Sequence, residues 1–367
     1  MKINSSKTVI AMAASMALGA ALVAAPAFAQ TATAVVAPSV TIYGRIDMGV
    51  ESANDGALTR TMFQNFASRL GFKGERGFSS DLSGMFQVET GIAPDETGLS
   101  KTFASRNSYV GLKSHSMGSV LIGTHDMPLK SLEGTANQLW GEGEAMEIII
   151  HGKGSATSSV ASTVFGDVHT RQKNVLLYQS PKFSNIVVKA AYSPDEAQTT
   201  TTNQSMYSLS AEYNDGTYNA GIATQSKDKS DKTFAMSATK ITLGAKMGSF
   251  IGGVAFSALD NNATLAAAAR KTNNSLFTIG YVMGATTLKF NYGTSSETAS
   301  GAADDLTMTA FEVNYALDKQ TNLYASYAQI ANNKNAKGTY AGADNFPVTG
   351  VAGNDPTALT LGVRYNF

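Results

Sequence analysis

The chain has 367 residues, with 28 basic and 28 acidic side chains, no cysteine, 34 glycines, 17 phenylalanines and 14 tyrosines. The absence of cysteine excludes a disulfide framework, a thiolate metal site and a cysteine nucleophile, and the balanced charge leaves no single-sign field to hold nucleic acid. Only 15% of the residues are charged, which points to a surface that does not meet water everywhere.

The first 29 residues read as a cleaved secretory signal. Lys2 and Lys7 form a basic start, Val9 to Ala25 is apolar or small, and Ala27-Phe28-Ala29 before Gln30 is a cleavage site. The alternative, a transmembrane anchor, fits poorly with that small-residue exit and with the strand-rich sequence beyond it. Residues 30–367 are then the mature unit, with 26 basic and 28 acidic side chains.

From there on the chain alternates apolar and polar residues with a period of two, which sorts them onto the two faces of a strand. Val40, Ile42, Ile46, Met48 and Val50 alternate with Thr41, Tyr43, Arg45, Asp47 and Glu51. Sixteen such segments are expected near 39–51, 62–74, 82–91, 101–112, 118–126, 170–180, 185–193, 205–214, 217–227, 233–245, 249–260, 273–283, 286–296, 306–317, 321–331 and 358–367. An even number suits a closed antiparallel barrel with both termini at one end. The prolines of the mature unit fall before or between these segments, as they must if no strand loses a ladder donor. Short turns such as 214–217, 245–248 and 318–320 take turns with longer polar connections such as 193–204, 261–272, 297–305 and 332–357. That sorting is expected of an outer-membrane barrel. The last strand places Leu359, Leu361, Val363, Tyr365 and Phe367 on one face and ends on an aromatic residue.

Several stretches resemble the Gram-negative general porins in order along the mature chain. They are Val40 to Asp47, Ser68 to Glu75 with Asp81-Leu82, Arg106 to Leu112, Gly118 to Gly123, Tyr178 to Pro181 and the terminal Phe367. One departure is Thr124-His125-Asp126 after Gly123, where the family commonly has an arginine. The resemblance implies an all-β transmembrane antiparallel barrel of 16 strands whose third loop folds into the lumen. It implies passive diffusion of small hydrophilic solutes and ions across the outer membrane of a Gram-negative bacterium. It also implies a homotrimer in contact with lipid and lipopolysaccharide, and an assembly signal at Tyr365 and Phe367.

The third loop, about 127–168, is the longest early connection and carries Glu133, Glu142, Glu144, Glu147 and the single tryptophan, Trp140. So long a connection in a compact fold is expected to have a function. Alternation puts Arg69 and Lys73 opposite Leu70 and Phe72, Arg45 opposite Ile42 and Ile46, and Arg106 opposite Tyr109. By the resemblance, Arg45, Arg69, Lys73, Arg106 and Arg171 form a basic wall, and the loop glutamates face it across the constriction. The inner-face residues read as Ser, Thr, Gly, Asn, Gln, Glu, Lys and Arg, which suits a wet channel rather than the alternative of a structural or adhesive barrel with a closed lumen. An outer-membrane hydrolase is the other alternative. Against any enzyme, the four histidines (His115, His125, His151 and His169) have no metal-ligand spacing, and no nucleophile elbow or phosphate-binding loop occurs. No metal, cofactor or nucleic-acid partner is expected.

Overall fold

The computed structural model describes residues 38–95, 102–136, 139, 169–230, 234–261, 270–298, 301–340 and 351–367. The strands run in order as β1 (Ser39–Asn54), β2 (Thr59–Asn65), β3 (Arg69–Gly77), β4 (Leu82–Gly91), β5 (Ser108–Ser114), β6 (Gly118–Asp126), β7 (Arg171–Gln179), β8 (Ile186–Ser193) and β9 (Met206–Asn214). They continue as β10 (Tyr218–Ser230), β11 (Phe234–Met247), β12 (Phe250–Asn261), β13 (Arg270–Met283), β14 (Thr286–Ser295), β15 (Leu306–Ala316), β16 (Thr321–Asn332) and β17 (Thr357–Asn366). One helical turn, α1 (Pro128–Ser131), follows β6.

All neighbours pair antiparallel, and β17 pairs with β1, so the sheet closes on itself and has no edge. β2 and β3 are two halves of one barrel strand. β1 pairs with β2 over Met48–Asn54 and with β3 over Ser39–Arg45. Between the halves, Ala67 takes a left-handed backbone (φ 59°), and the Phe66 amide and the Ser68 hydroxyl turn inward onto the Asp47 backbone. The barrel therefore has sixteen strands, as expected from the alternation, with a bulge where 62–74 reads as one segment. The stretch expected at 101–112 is strand only from Ser108.

The outer surface carries the apolar set of each alternation. Val40, Ile42, Phe63, Ile122 and Leu361 are 60–68% exposed. A water-facing surface would not carry such a belt; a hydrocarbon-facing one requires it. Aromatic residues gather toward the short-turn end, including Phe183, Tyr218, Phe250, Tyr281, Tyr315, Tyr365 and Phe367, where rings with one wet edge sit best. The terminal ring of Phe367 covers Gly44, and the two residues exchange backbone hydrogen bonds of 3.0 and 3.1 Å.

The inner surface corrects the expectation of an all-polar lumen. Three apolar patches line it. One joins Leu121, Val175, Leu177, Ala191 and Met206, and Met127 seals it. A second joins Ala223, Ala238 and Leu259 with Leu129 and Leu132. The third spreads over Ala255, Leu276, Met308, Ala310, Ala328 and Ala358, with Ala136, Leu139, Ala336 and Tyr340 among its members. These patches stay apolar because chain after β6 and after β16 covers them. A row of small inward residues also runs across adjacent strands. Gly244, Gly253, Thr278 and Asn291 pair in succession from β11 to β14, and four alanines (Ala310, Ala328, Ala358 and Ala53) extend the row to β1.

Candidate functional site: the charged lumen wall

On β1 the inward set is Tyr43, Arg45, Asp47 and Glu51, and on β3 and β4 it includes Arg69, Lys73 and Glu89. Arg45 and Arg69 face each other in register, so the strands place both guanidinium groups at one level. Arg45 Nε donates to Asn366 Oδ1 at 3.1 Å. Arg106 pairs with Glu89, which also accepts a hydrogen bond from the Tyr43 hydroxyl at 2.9 Å. Arg69 lies between the fields of Arg106 and Arg364, with Glu89 also within electrostatic reach. Its side chain makes no hydrogen bond or ion pair with any described residue. Lys73 stands toward the short-turn end, with Nζ 5.0 Å from the centre of the Tyr43 ring.

Alternation misassigned one face. Arg106 precedes β5, so strand parity does not govern it, and Tyr109 faces inward with it. The Tyr109 ring packs on the inner patch sealed by Met127 and lies 5.4 Å from the His125 ring. Arg171 joins the base of the third connection instead of standing free. It pairs with Asp126 at 3.1 Å and donates to Asn107 Oδ1 at 2.9 Å, and Asn107 Nδ2 donates to Asp126 Oδ2 at 2.8 Å. Of the four loop glutamates only Glu133 is described, half-buried just after α1. Glu142, Glu144 and Glu147 lie outside the described residues, as does Trp140.

The wall also contains charges that sequence reasoning missed. Arg364 donates to buried Asp47 at 2.6 Å, and the Tyr324 hydroxyl donates to the same carboxylate at 2.9 Å. Lys289 pairs with Glu312 at 2.6 Å one strand farther round. The signal for Arg364 is its place on the polar face of β17, between the apolar Val363 and Tyr365.

A charged inner wall inside a closed, lipid-belted barrel is the arrangement of a channel. A family model described as Gram-negative porin matches residues 13–336. The chain belongs to the Gram-negative porin family. Family membership makes this an outer-membrane porin that forms a channel, and not an enzyme. The chain is similar to the major outer membrane protein P.IB of Neisseria lactamica, 24% identical over 89% of this chain and 94% of that protein. Its fold is similar to an anion-selective porin from Comamonas acidovorans (TM-score 0.77, 20% identity, covering 90% of this chain and 100% of that one). It is also similar to OmpT of Vibrio cholerae in its trimer form (TM-score 0.65, 15% identity, 90% and 100% coverage).

Proposed function

We propose that this porin carries small hydrophilic solutes through a constriction between an arginine wall and the third connection, and that it favours anions. The wall comprises Arg45, Arg69, Arg106 and Arg364, against the carboxylates of Asp47 and Glu89. Glu133, Glu142, Glu144 and Glu147 belong to the facing loop, so that solutes cross a transverse field at the narrowest point. Lys73 extends the basic wall toward the short-turn end, and Arg171 holds the base of the loop. The observation that carries the sign is Arg69, whose side chain has no ion-pair partner among the described residues and lies within electrostatic reach of Arg106 and Arg364 as well as Glu89. The similarity to a porin named as anion-selective agrees with it.

Export follows removal of residues 1–29, and Phe367 with Tyr365 serves as the assembly signal. The barrel works as a homotrimer in a bilayer bearing lipopolysaccharide, a reading supported by the trimer form of the similar OmpT.

The test is reversal potential under a salt gradient. A unit charge about 7 Å from the ion path contributes about 0.6 kcal/mol in water, or about threefold in local anion occupancy. Arg69→Gln should lower anion preference by roughly that factor at low salt, and less at 1 M, where screening shortens to about 3 Å. Glu142→Gln with Glu144→Gln should raise it. A cation-selective parent channel, or an Arg69→Gln channel with unchanged reversal potential at low salt, overturns the reading.

A further inference from the structure

We infer that a glycine-lined slot on β10, β11 and β12 is the seat of the third connection, and that Gly221, Gly244 and Gly253 are positioning residues for the calibre of the channel. This inference rests on the proposal that the connection narrows the channel. Three independent features support it.

The first is steric. A Cβ on Gly221 would overlap Leu132 Cδ1, and a Cβ on Gly244 would overlap the Thr135 hydroxyl. A Cβ on Gly253 would come 2.9 Å from the Thr135 carbonyl carbon and 3.0 Å from the Ala136 amide nitrogen, which are backbone atoms unable to swing away. Glycine in a strand interior is disfavoured by about 0.5–1 kcal/mol relative to alanine. Three such glycines against one five-residue segment are accounted for by close approach of that segment.

The second is polar. Asn219, in register with Gly244, accepts from the Thr135 amide at 3.2 Å and donates to the Thr135 hydroxyl at 3.2 Å. That hydroxyl donates to the Gly252 carbonyl at 2.7 Å. Earlier in the segment the Leu129 amide donates to Ser208 Oγ at 3.1 Å. The Leu129 and Thr135 amides and the Thr135 hydroxyl are thus satisfied by the wall, where a surface loop would give them to water, while the Ser131, Leu132 and Ala136 amides bond within the segment.

The third is apolar. Met127, Leu129, Leu132, Ala136 and Leu139 are each at most 3% exposed, and they enter the three inner patches in succession around the wall. The slot therefore fixes both the height and the direction in which the chain runs before it reaches Trp140.

Two experiments test the seat. The chain has no cysteine, so Thr135→Cys with Asn219→Cys supplies a clean pair. A short homobifunctional thiol reagent should join the pair in the folded barrel, because the native side chains are in hydrogen-bond contact, closer than such a reagent spans. Failure to cross-link overturns the seat. Separately, Gly253→Ala and Gly221→Ala should change single-channel conductance about twofold or more, because current follows the narrowest cross-section. Should Gly253→Ala fold poorly, the Gly221→Ala and Leu132→Ala cycle replaces it: the double variant should recover parent conductance, since Leu132→Ala vacates the overlap. Cross-linking with unchanged conductance in the folded alanine variants overturns the positioning role. The Arg69→Gln reversal potential then reports separately whether the constriction itself fails.

Discussion

Replacing Asp47 with alanine leaves Arg364 without its carboxylate at the seam where the last strand meets the first. Asp47 is fully buried and accepts from Arg364 at 2.6 Å and from the Tyr324 hydroxyl at 2.9 Å. Arg364 is also within electrostatic reach of Arg69 and Lys289, so loss of the Asp47 carboxylate raises the like-charge repulsion on its guanidinium. Breaking one side of a buried ion pair costs about 3–5 kcal/mol, and lumen water that can reach Arg364 favours the lower end. Tyr324→Phe removes one hydrogen bond to a charged group and should cost about 1.5–3 kcal/mol. The double variant Asp47→Ala with Arg364→Met removes both charges and should recover most of the loss. Urea titration of the barrel in vesicles, read by the gel mobility of folded and unfolded forms, measures each value. A loss below about 1 kcal/mol for Asp47→Ala, or a double variant no more stable than the single one, refutes the view that this pair ties the seam.

Deleting Phe367 removes the two backbone hydrogen bonds to Gly44 and the ring that covers it. It should lower the yield of folded barrel, with about 2 kcal/mol from the hydrogen bonds alone, while export across the inner membrane proceeds. Normal outer-membrane levels of the shortened chain would count against a closing role. In the turn between β1 and β2, Asp55 accepts from Arg60 and from the amides of Leu58 and Ala57, which hold its carboxyl down to about 2. Because the folded value is depressed, its contribution is present above about pH 4 and is lost as pH falls toward 2. A carboxyl titration by NMR should show that low midpoint and a rise on Arg60→Gln; a parent midpoint near 4 would contradict the bonding.

Much of the barrel was legible because a period of two reports directly which side chains meet lipid. Leu359 to Phe367 needed no tertiary information: every second residue is apolar, and each of these is exposed on the outer face. Parity carries less on the inside, where a residue can face water, a charge or another part of the chain. Ala310 and Ala328 sit at positions that alternation marks only as non-lipid, and it is the chain after β6 and β16 that makes them core. Tyr109 faces inward together with Arg106, against the parity expectation, because parity holds only from the start of β5 at Ser108. The break between β2 and β3 was illegible for a different reason. It exists to bring the Phe66 amide and Ser68 hydroxyl to the Asp47 backbone, and local alternation around 62–74 contains no trace of that distant demand.

The two halves of the proposed constriction are related by strand counting alone. Treating β2 and β3 as one strand, the arginine wall spans β17, β1, β3 and the approach to β5, and so centres on the second of sixteen barrel strands. The glycine slot on β10, β11 and β12 centres on the tenth. Eight strands is half the circumference of a closed sixteen-strand sheet, so a segment seated in the slot lies across the lumen from the guanidinium groups. The sorting of functions follows from this. The arginine side requires buried carboxylates such as Asp47 and Glu89 to hold its cations in place, and its strands carry long polar side chains inward. The far side must admit a second layer of chain within the same cylinder, and it does so with glycine and alanine. Charge substitutions on one wall should therefore change selectivity with little effect on calibre, and volume substitutions on the other should do the reverse. A charge variant such as Arg69→Gln that altered conductance as strongly as Gly253→Ala would show that the two walls are not separable in this way.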